Sequence, residues 1–523
     1  MNPNSLLLYK QLAWTFLSKM GSDTDDMHWY YKKVWAREFQ ELLGAPTLLT
    51  QEELLETFKL IADSPIDKDA YRPKTKDIQK DQRRLLIESN PDVGELEKAL
   101  AGVGLKIDAS LLKAYNYQTR DDAVDITRSE SIEARDRRLT KAVNAIKDAE
   151  EQARHLATLE KRAKWAEVIN DPAHSEALKK ALAFVRAQTL WGVHKMDPKY
   201  MYGLMERFGP IDWRTVWSHG LYWSIYGTEH CKDVAREKMD SLNTDRTLLS
   251  CLKTLTWQGK MDYFAPRAGL VGGDSEPTVN FRSDWRFIKA THDEYVKLGK
   301  ERSTLKNEKY SKNPLNIGHM NYLNNAITTL YLRNRRDEAK TYFQWVKTNY
   351  EEMADKTWDA ENIDDFVVAS MKDRGSLIPR VATSHLTASL QMAMIWLAQG
   401  DDKNAARNIT YARRLYDEYH NSEETRTRRL ALPPLDLFAA NVLTELLVRP
   451  KLLNANLSLE QRSVMYTSME QRWPKATAIV YDLVRGHLTR QCQTENLDFN
   501  KLFPPPSGLE AVRQYRDQQN RRQ

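Results

Sequence analysis

The stretch NYLNNAITTLYLRNRRDEAKTYFQWVKTNY, residues 321–350, limits what this chain can fold into more than any other segment. Ala326, Ile327 and Leu330 recur on one helical face, a polar turn RNRRDE follows, and Ala339, Phe343 and Val346 form a second face at steps of four and three. Thirteen residues separate Ala326 from Ala339. Small side chains at both positions let two helices approach closely, while the larger ones fill the space beside them. The pattern predicts a helical hairpin whose apolar sides are hidden against neighbouring pairs.

The same spacing returns in SLQMAMIWLAQGDDKNAARNITYARRLY, where Ala393, Trp396, Ala405, Ile409 and Ala412 occupy equivalent positions and Gly400 lies in the turn. A looser copy places Trp223, Tyr226, Ala235, Met239 and Leu242 at these intervals, with Gly227 in the turn. At the N-terminus Ala13 and Phe16 are followed, after a two-residue insertion, by Met27, Tyr31 and Val34. This geometry resembles the tetratricopeptide repeat, a helix–turn–helix unit of about 34 residues. The signature glycine of its first helix is replaced here by Ala, Ile or Trp. The segments MDPKYMYGLMERFGPIDWRTVWSHGLYWSIYG and NIGHMNYLNNAITTLYLRNRRDEA are similar to large bacterial tetratricopeptide-type proteins of unassigned function. The resemblance implies an all-α, degenerate repeat solenoid with helical insertions, and it carries no activity.

Along the chain, residues 1–80 read as a repeat-like hairpin and its connection, and 81–190 as a charged helical region with one long helix near 129–168. A second hairpin region spans 191–263. Residues 264–285, rich in Gly and Pro, read as a loop. Repeats occupy 286–420, further helices 421–501, and a proline-rich turn with a basic tail 502–523. No strands are expected.

Composition narrows the function. Hydrophobic residues at 41% and charged residues at 29% suit a globular chain, and 78 basic against 72 acidic side chains leave a net charge of only +6, so nucleic acid is not the expected partner. Three widely spaced cysteines, Cys231, Cys251 and Cys492, make no disulfide framework and point to a reducing compartment. No apolar run approaches the roughly 20 residues of a membrane helix, and no leader is visible, so a cytoplasmic location is expected if Met1 is the true start.

Catalytic patterns are absent. His219, His230 and Cys231 are the closest soft ligands, without an HExxH or CxxC, and His219 reads as a core histidine. GLVGGDSEP lacks the lysine of a phosphate loop, and Cys251 lies on an apolar helix face. No metal or cofactor is expected. The chain therefore reads as a non-enzymatic scaffold for another protein or an extended peptide, with oligomeric state left open. Candidate groove residues are Asn321, Asn324, Thr328 and Tyr331, with Trp217 and Met394 at comparable positions; amides there can pair with a peptide backbone. The alternatives are an enzyme whose site is assembled from scattered residues on an all-α array, or the soluble part of a membrane-associated assembly anchored upstream of Met1.

Overall fold

A computed structural model describes residues 5–22, 26–44, 49–66, 76–119, 132–231, 239–264, 278–306, 313–333, 335–350, 358, 362–372, 379–421, 432–450, 455 and 457–514. Among the described residues the protein is all-α apart from one short hairpin, and the chain divides into two units, Met1–Ala290 and Thr291–Gln523.

The first unit carries α1 (Leu6–Trp14), α2 (Asp26–Leu43), α3 (Gln51–Ala62), α4 (Lys76–Ser89), α5 (Pro91–Gly102), α6 (Ala109–Thr119), α7 (Ile132–Asn144), α8 (Ala149–Ile169), α9 (Ser175–Gly192), α10 (Pro198–Phe208), α11 (Val216–His230), α12 (Met239–Gln258), strands β1 (Lys260–Phe264) and β2 (Thr278–Arg282), and the start of α13 (Phe287–Lys306). Helix starts follow their caps. Thr50 and Glu53 form a reciprocal capping box at α3, and the Asp148 carboxylate accepts the Glu151 backbone N–H at α8. That second cap splits the long helix expected over 129–168. The chain turns at Ala145–Asp148 and starts again, and α7 packs against α8.

The expected loop at 264–285 is bordered by strands instead. β1 pairs antiparallel with β2, Lys260 opposite Arg282 and Phe264 opposite Thr278, and the residues between them lie outside those described. Met261, Tyr263 and Val279 bury one face of this hairpin on Ala36 of α2, with Phe281 packed alongside. Asp262, between Met261 and Tyr263, is buried as well, its carboxylate paired with Arg282 of β2 at 2.7 Å.

Two copies of the tripeptide Asp-Trp-Arg organise this unit. In Asp212-Trp213-Arg214, just before α11, the Arg214 guanidinium grips the Asp212 carboxylate with two bonds of 2.9 and 2.8 Å, and both side chains are buried. Arg214 also donates to the Gln40 side chain of α2 and to the Met261 carbonyl of β1, both at 2.6 Å, while the Met261 N–H donates to Asp212 at 3.1 Å. In Asp284-Trp285-Arg286, just before α13, Arg286 grips Asp284 in the same way and donates to the Pro210 carbonyl at 3.0 Å. The second clasp thus holds the loop that carries the first.

The second unit contains the rest of α13, then α14 (Asn316–Leu332), α15 (Arg336–Asn349), α16 (Ile363–Lys372), α17 (Pro379–Ala398), α18 (Asp402–Asn421), α19 (Leu435–Val448), α20 (Leu459–Arg472), α21 (Pro474–Thr494) and α22 (Phe499–Leu502). Here the hairpin pattern holds. α14 packs on α15 and α17 on α18, and Ala326, Ile327, Leu330, Ala339, Phe343, Val346, Ala393, Ala405, Ile409 and Ala412 are buried. α17 also touches α14, α19 and α20, so the pairs are layered. Gly400 ends α17 with a φ of 77°, a backbone conformation that favours glycine. The proline-rich turn after α22 is tied down. The Tyr466 hydroxyl donates to the Pro504 carbonyl at 2.7 Å, Ser507 donates its N–H to Glu470 at 2.6 Å, and residues 509–514 are helical.

The two N-proximal copies depart from expectation. Met27 and Tyr31 are exposed, and α2 buries Lys32, Ala36, Phe39 and Leu42 instead; α1 packs on α11 and α12 rather than on α2. Gly227 lies inside α11 rather than in a turn, and residues 232–238, Ala235 among them, lie outside the described residues.

Removing the cation of the first clasp leaves a buried carboxylate uncompensated. Arg214→Met is expected to cost about 3–5 kcal/mol, and Arg286→Met less, because the Arg286 side chain is partly exposed and water reaches it. Chemical denaturation of the two variants checks the order; equal or negligible losses would refute the clasp as the organising contact.

Candidate functional site

The six groove candidates divide between the units, Trp217 in the first and the other five in the second. Thr328 and Met394 are fully buried in the second unit, Thr328 donating its hydroxyl to the Asn324 carbonyl at 2.9 Å. Tyr331 is half-buried with the Arg336 guanidinium 4.8 Å over its ring. Asn321 is exposed and Asn324 half-buried on α14. Trp217 is buried in the first unit, where its indole N–H donates to the Gly21 carbonyl at 3.2 Å. Three of the six, Thr328, Met394 and Trp217, are therefore core side chains.

The nearest thing to a soft-ligand cluster is also core. His219 is enclosed by Phe16, Trp35 and Phe39, its Nε2 lies 2.7 Å from the Trp213 carbonyl and its Nδ1 3.2 Å from the Met196 sulfur. Burial pushes its pKa down to about 3. His194, packed on Phe39, is pushed by burial to about 4, despite the Glu38 carboxylate 3.4 Å away. His230 stacks on Tyr226 instead. All three cysteines are buried and unpaired with one another, and burial pushes the Cys251 thiol far up. A buried polar chain runs through the second unit, from Asn316 to the Tyr350 hydroxyl, then His319 at 2.8 Å and His292 at 3.0 Å, with Tyr295 stacked on His319. Desolvation keeps His319 neutral.

What the fold leaves unfinished is the outer face of α1 and α2. Half of the sixteen exposed large hydrophobic side chains among the described residues lie between Leu7 and Tyr31. α1 turns Leu6 and Ala13 inward, and its continuation, a widened helical turn over Thr15–Met20, turns Phe16 inward. Leu7 (47% exposed), Leu8, Leu12 and Trp14 (51%) face out. On the adjoining α2, Met27 (53%), Trp29, Tyr30 (48%) and Tyr31 do the same. A helix that is apolar on both sides is normally covered on both sides.

Glycines fix that face in place. Gly220 and Gly227, two turns apart on α11, receive α1: a Cβ on Gly227 would stand 2.5 Å from the Tyr9 Cβ, and one on Gly220 would stand 3.3 Å from the Ala13 carbonyl oxygen. Tyr9 stacks on Trp223 in the same seam. At the other end the Lys32 ammonium is buried, donating to the Ser22 carbonyl at 2.6 Å and facing Trp29 (4.8 Å), Trp217 (5.4 Å) and Phe281 (6.0 Å), so cation–π attraction ties α2 to α11 and β2.

Sequence reasoning missed this surface. The signal was present in SLLLYKQLAW, whose apolar residues point to every side of a helix, but a repeat template assigns each of them a partner. No known family matches the chain, and neither curated proteins nor solved structures give a match.

Two outcomes follow from these packings. Gly227→Val should push α1 off α11 and cost about 1–3 kcal/mol; a variant as stable as the parent, with α1 equally protected from protease, would refute the seam. The second concerns pH. His194 and His219 are neutral when folded and titrate near 6.5 when unfolded, so below pH 6.5 the unfolded chain binds protons that the native one refuses, and stability falls. The loss should level off near about 4 for His194 and about 3 for His219. Between pH 7.5 and 5 it should reach roughly 4 kcal/mol for the pair, measurable by denaturation and abolished in His194→Gln/His219→Gln.

Proposed function

We propose that this chain is a non-enzymatic, tetratricopeptide-like helical-repeat protein that docks another protein, in a reducing compartment such as the cytoplasm. One observation carries the reading: the concentration of outward Leu, Trp, Tyr and Met side chains on α1 and α2. Exposed apolar patches beyond a few hundred Å² are uncommon on chains that act alone and mark places where something else is buried. Trp, Tyr and Met are enriched at protein interfaces because each buries a large area at modest entropic cost.

Further support comes from the layered helix pairs α14–α15 and α17–α18, whose small residues fall where the repeat pattern wants them. Such arrays offer extended surface rather than a closed cavity. The buried thiols form no disulfide with one another, which suits a reducing compartment. No helix among the described residues is long and apolar enough to cross a membrane.

The test is site-specific photocrosslinking in the native cell, with a photoreactive residue at Leu12 or, as a control, at the exposed Glu150 of α8. Position 12 should yield a discrete adduct with another protein that position 150 does not. Adducts identical at both positions, or none at either, would refute the reading, and an adduct with a second copy of this chain would turn the face into a self-association surface.

A further inference from the structure

Helix α10 contains a glycine that its packing does not require. Gly203 is exposed in the middle of Pro198–Phe208, and a methyl group built on it would meet nothing within 4 Å. Glycine weakens a helix interior relative to alanine because it gives up more backbone freedom on folding. At Gly220 and Gly227 close neighbours account for that cost; at Gly203 none does.

Gly203 instead floors a cleft of about 390 Å³, lined by Lys199, Tyr200, Leu204, Arg207 and Glu229 among others. Lys199, Gly203 and Arg207 are spaced by four and share one face, so the glycine makes a notch between two cations. Arg207 lines the cleft one turn beyond Gly203, its guanidinium 4.7 Å over the Phe208 ring. The buried Leu204 gives an apolar floor. Tyr200 gives a wall, packed edge-on against Tyr222, Tyr226 and His230 at 5.1–5.6 Å between ring centres.

The carboxylates at this cleft are already engaged. Glu229 accepts the Tyr200 hydroxyl at 2.7 Å and an Arg207 N–H at 3.3 Å, and Asp197 caps the helix by accepting the Lys199 backbone N–H at 2.9 Å. Glu229 therefore steadies Arg207 at the rim, and the Lys199 ammonium has no ion-pair partner among the described residues. We propose that this cleft binds a small organic oxyanion, a carboxylate or a phosphate ester, laid across Gly203 between Lys199 and Arg207. The guanidinium fork matches the geometry of either oxyanion.

Calorimetric titration of the full chain with malonate and with inorganic phosphate, at constant ionic strength against chloride, tests the site. Saturable binding of at least one probe is expected, and the preferred probe identifies the headgroup. Lys199→Gln/Arg207→Gln should weaken it at least tenfold. Gly203→Leu should abolish it while melting no lower than the parent, because the new side chain fills the notch and strengthens the helix. No saturable binding of either probe, binding unaltered in Gly203→Leu, or a Gly203→Leu protein that melts well below the parent would each overturn the proposal.

Discussion

A guanidinium buried on all sides holds the first unit together. Arg214 meets the Asp212 carboxylate along two bonds and adds an amide oxygen from α2 and a carbonyl from β1, while Asp212 accepts a backbone N–H from the same strand. An ion pair out of water is stable only when its remaining donors and acceptors are met. Here they are met by two different elements, α2 and β1. The pair therefore fixes where α2, the hairpin and the entry to α11 stand, rather than adding much net stability. The second Asp-Trp-Arg repeats the arrangement one hairpin later and reaches back to Pro210, beside the first. One tripeptide used twice sets two helix entries against each other.

From that frame the outer helices follow. α11 presents Gly220 and Gly227 as a channel, α1 settles into it through Tyr9 and Ala13, and the chain turns at Gly21 beneath the Trp217 indole. A Cβ on Gly21 would lie 2.4 Å from that indole nitrogen. The turn then delivers Lys32 into its aromatic enclosure. α1 can pack this closely only because its inner side is small or flat. The same closeness leaves its larger residues, Leu7, Leu8, Leu12 and Trp14, no place but outside.

The second unit was the legible part of the sequence. Ala326, Leu330, Ala339 and Val346, and likewise Ala393, Ala405 and Ala412, are buried where their periodicity put them, because short local hairpins satisfy their own pattern. Legibility failed where burial is decided by distant partners. Lys32 lies inside because rings from α11 and β2 enclose it, while Met27 and Tyr31 lie outside with no facing helix among the described residues. The hairpin escaped notice because KMDYF and TVNFR are too short and too polar to register without the α2 face they bury. Trp217 and Met394 looked like groove residues because their spacing is that of a first repeat helix, yet spacing says nothing about how closely the opposite wall approaches. The outward face of α1 was masked for the same reason: a repeat template counts any apolar helix position as already paired.

That masking bears on how the surface should be understood. A helix buried on one side usually carries charge on the other, and α15 does so: it buries Ala339, Tyr342, Phe343 and Val346 and carries acids in its first turn and a lysine in its last. α1 has neither an acid in its first turn nor a base in its last. Four large apolar side chains occupy the positions where charge would cost nothing in folding. Since an isolated nine-residue helix gains little from propensity alone, α1 owes its place to the glycine channel. The residues on its far side contribute nothing to that docking.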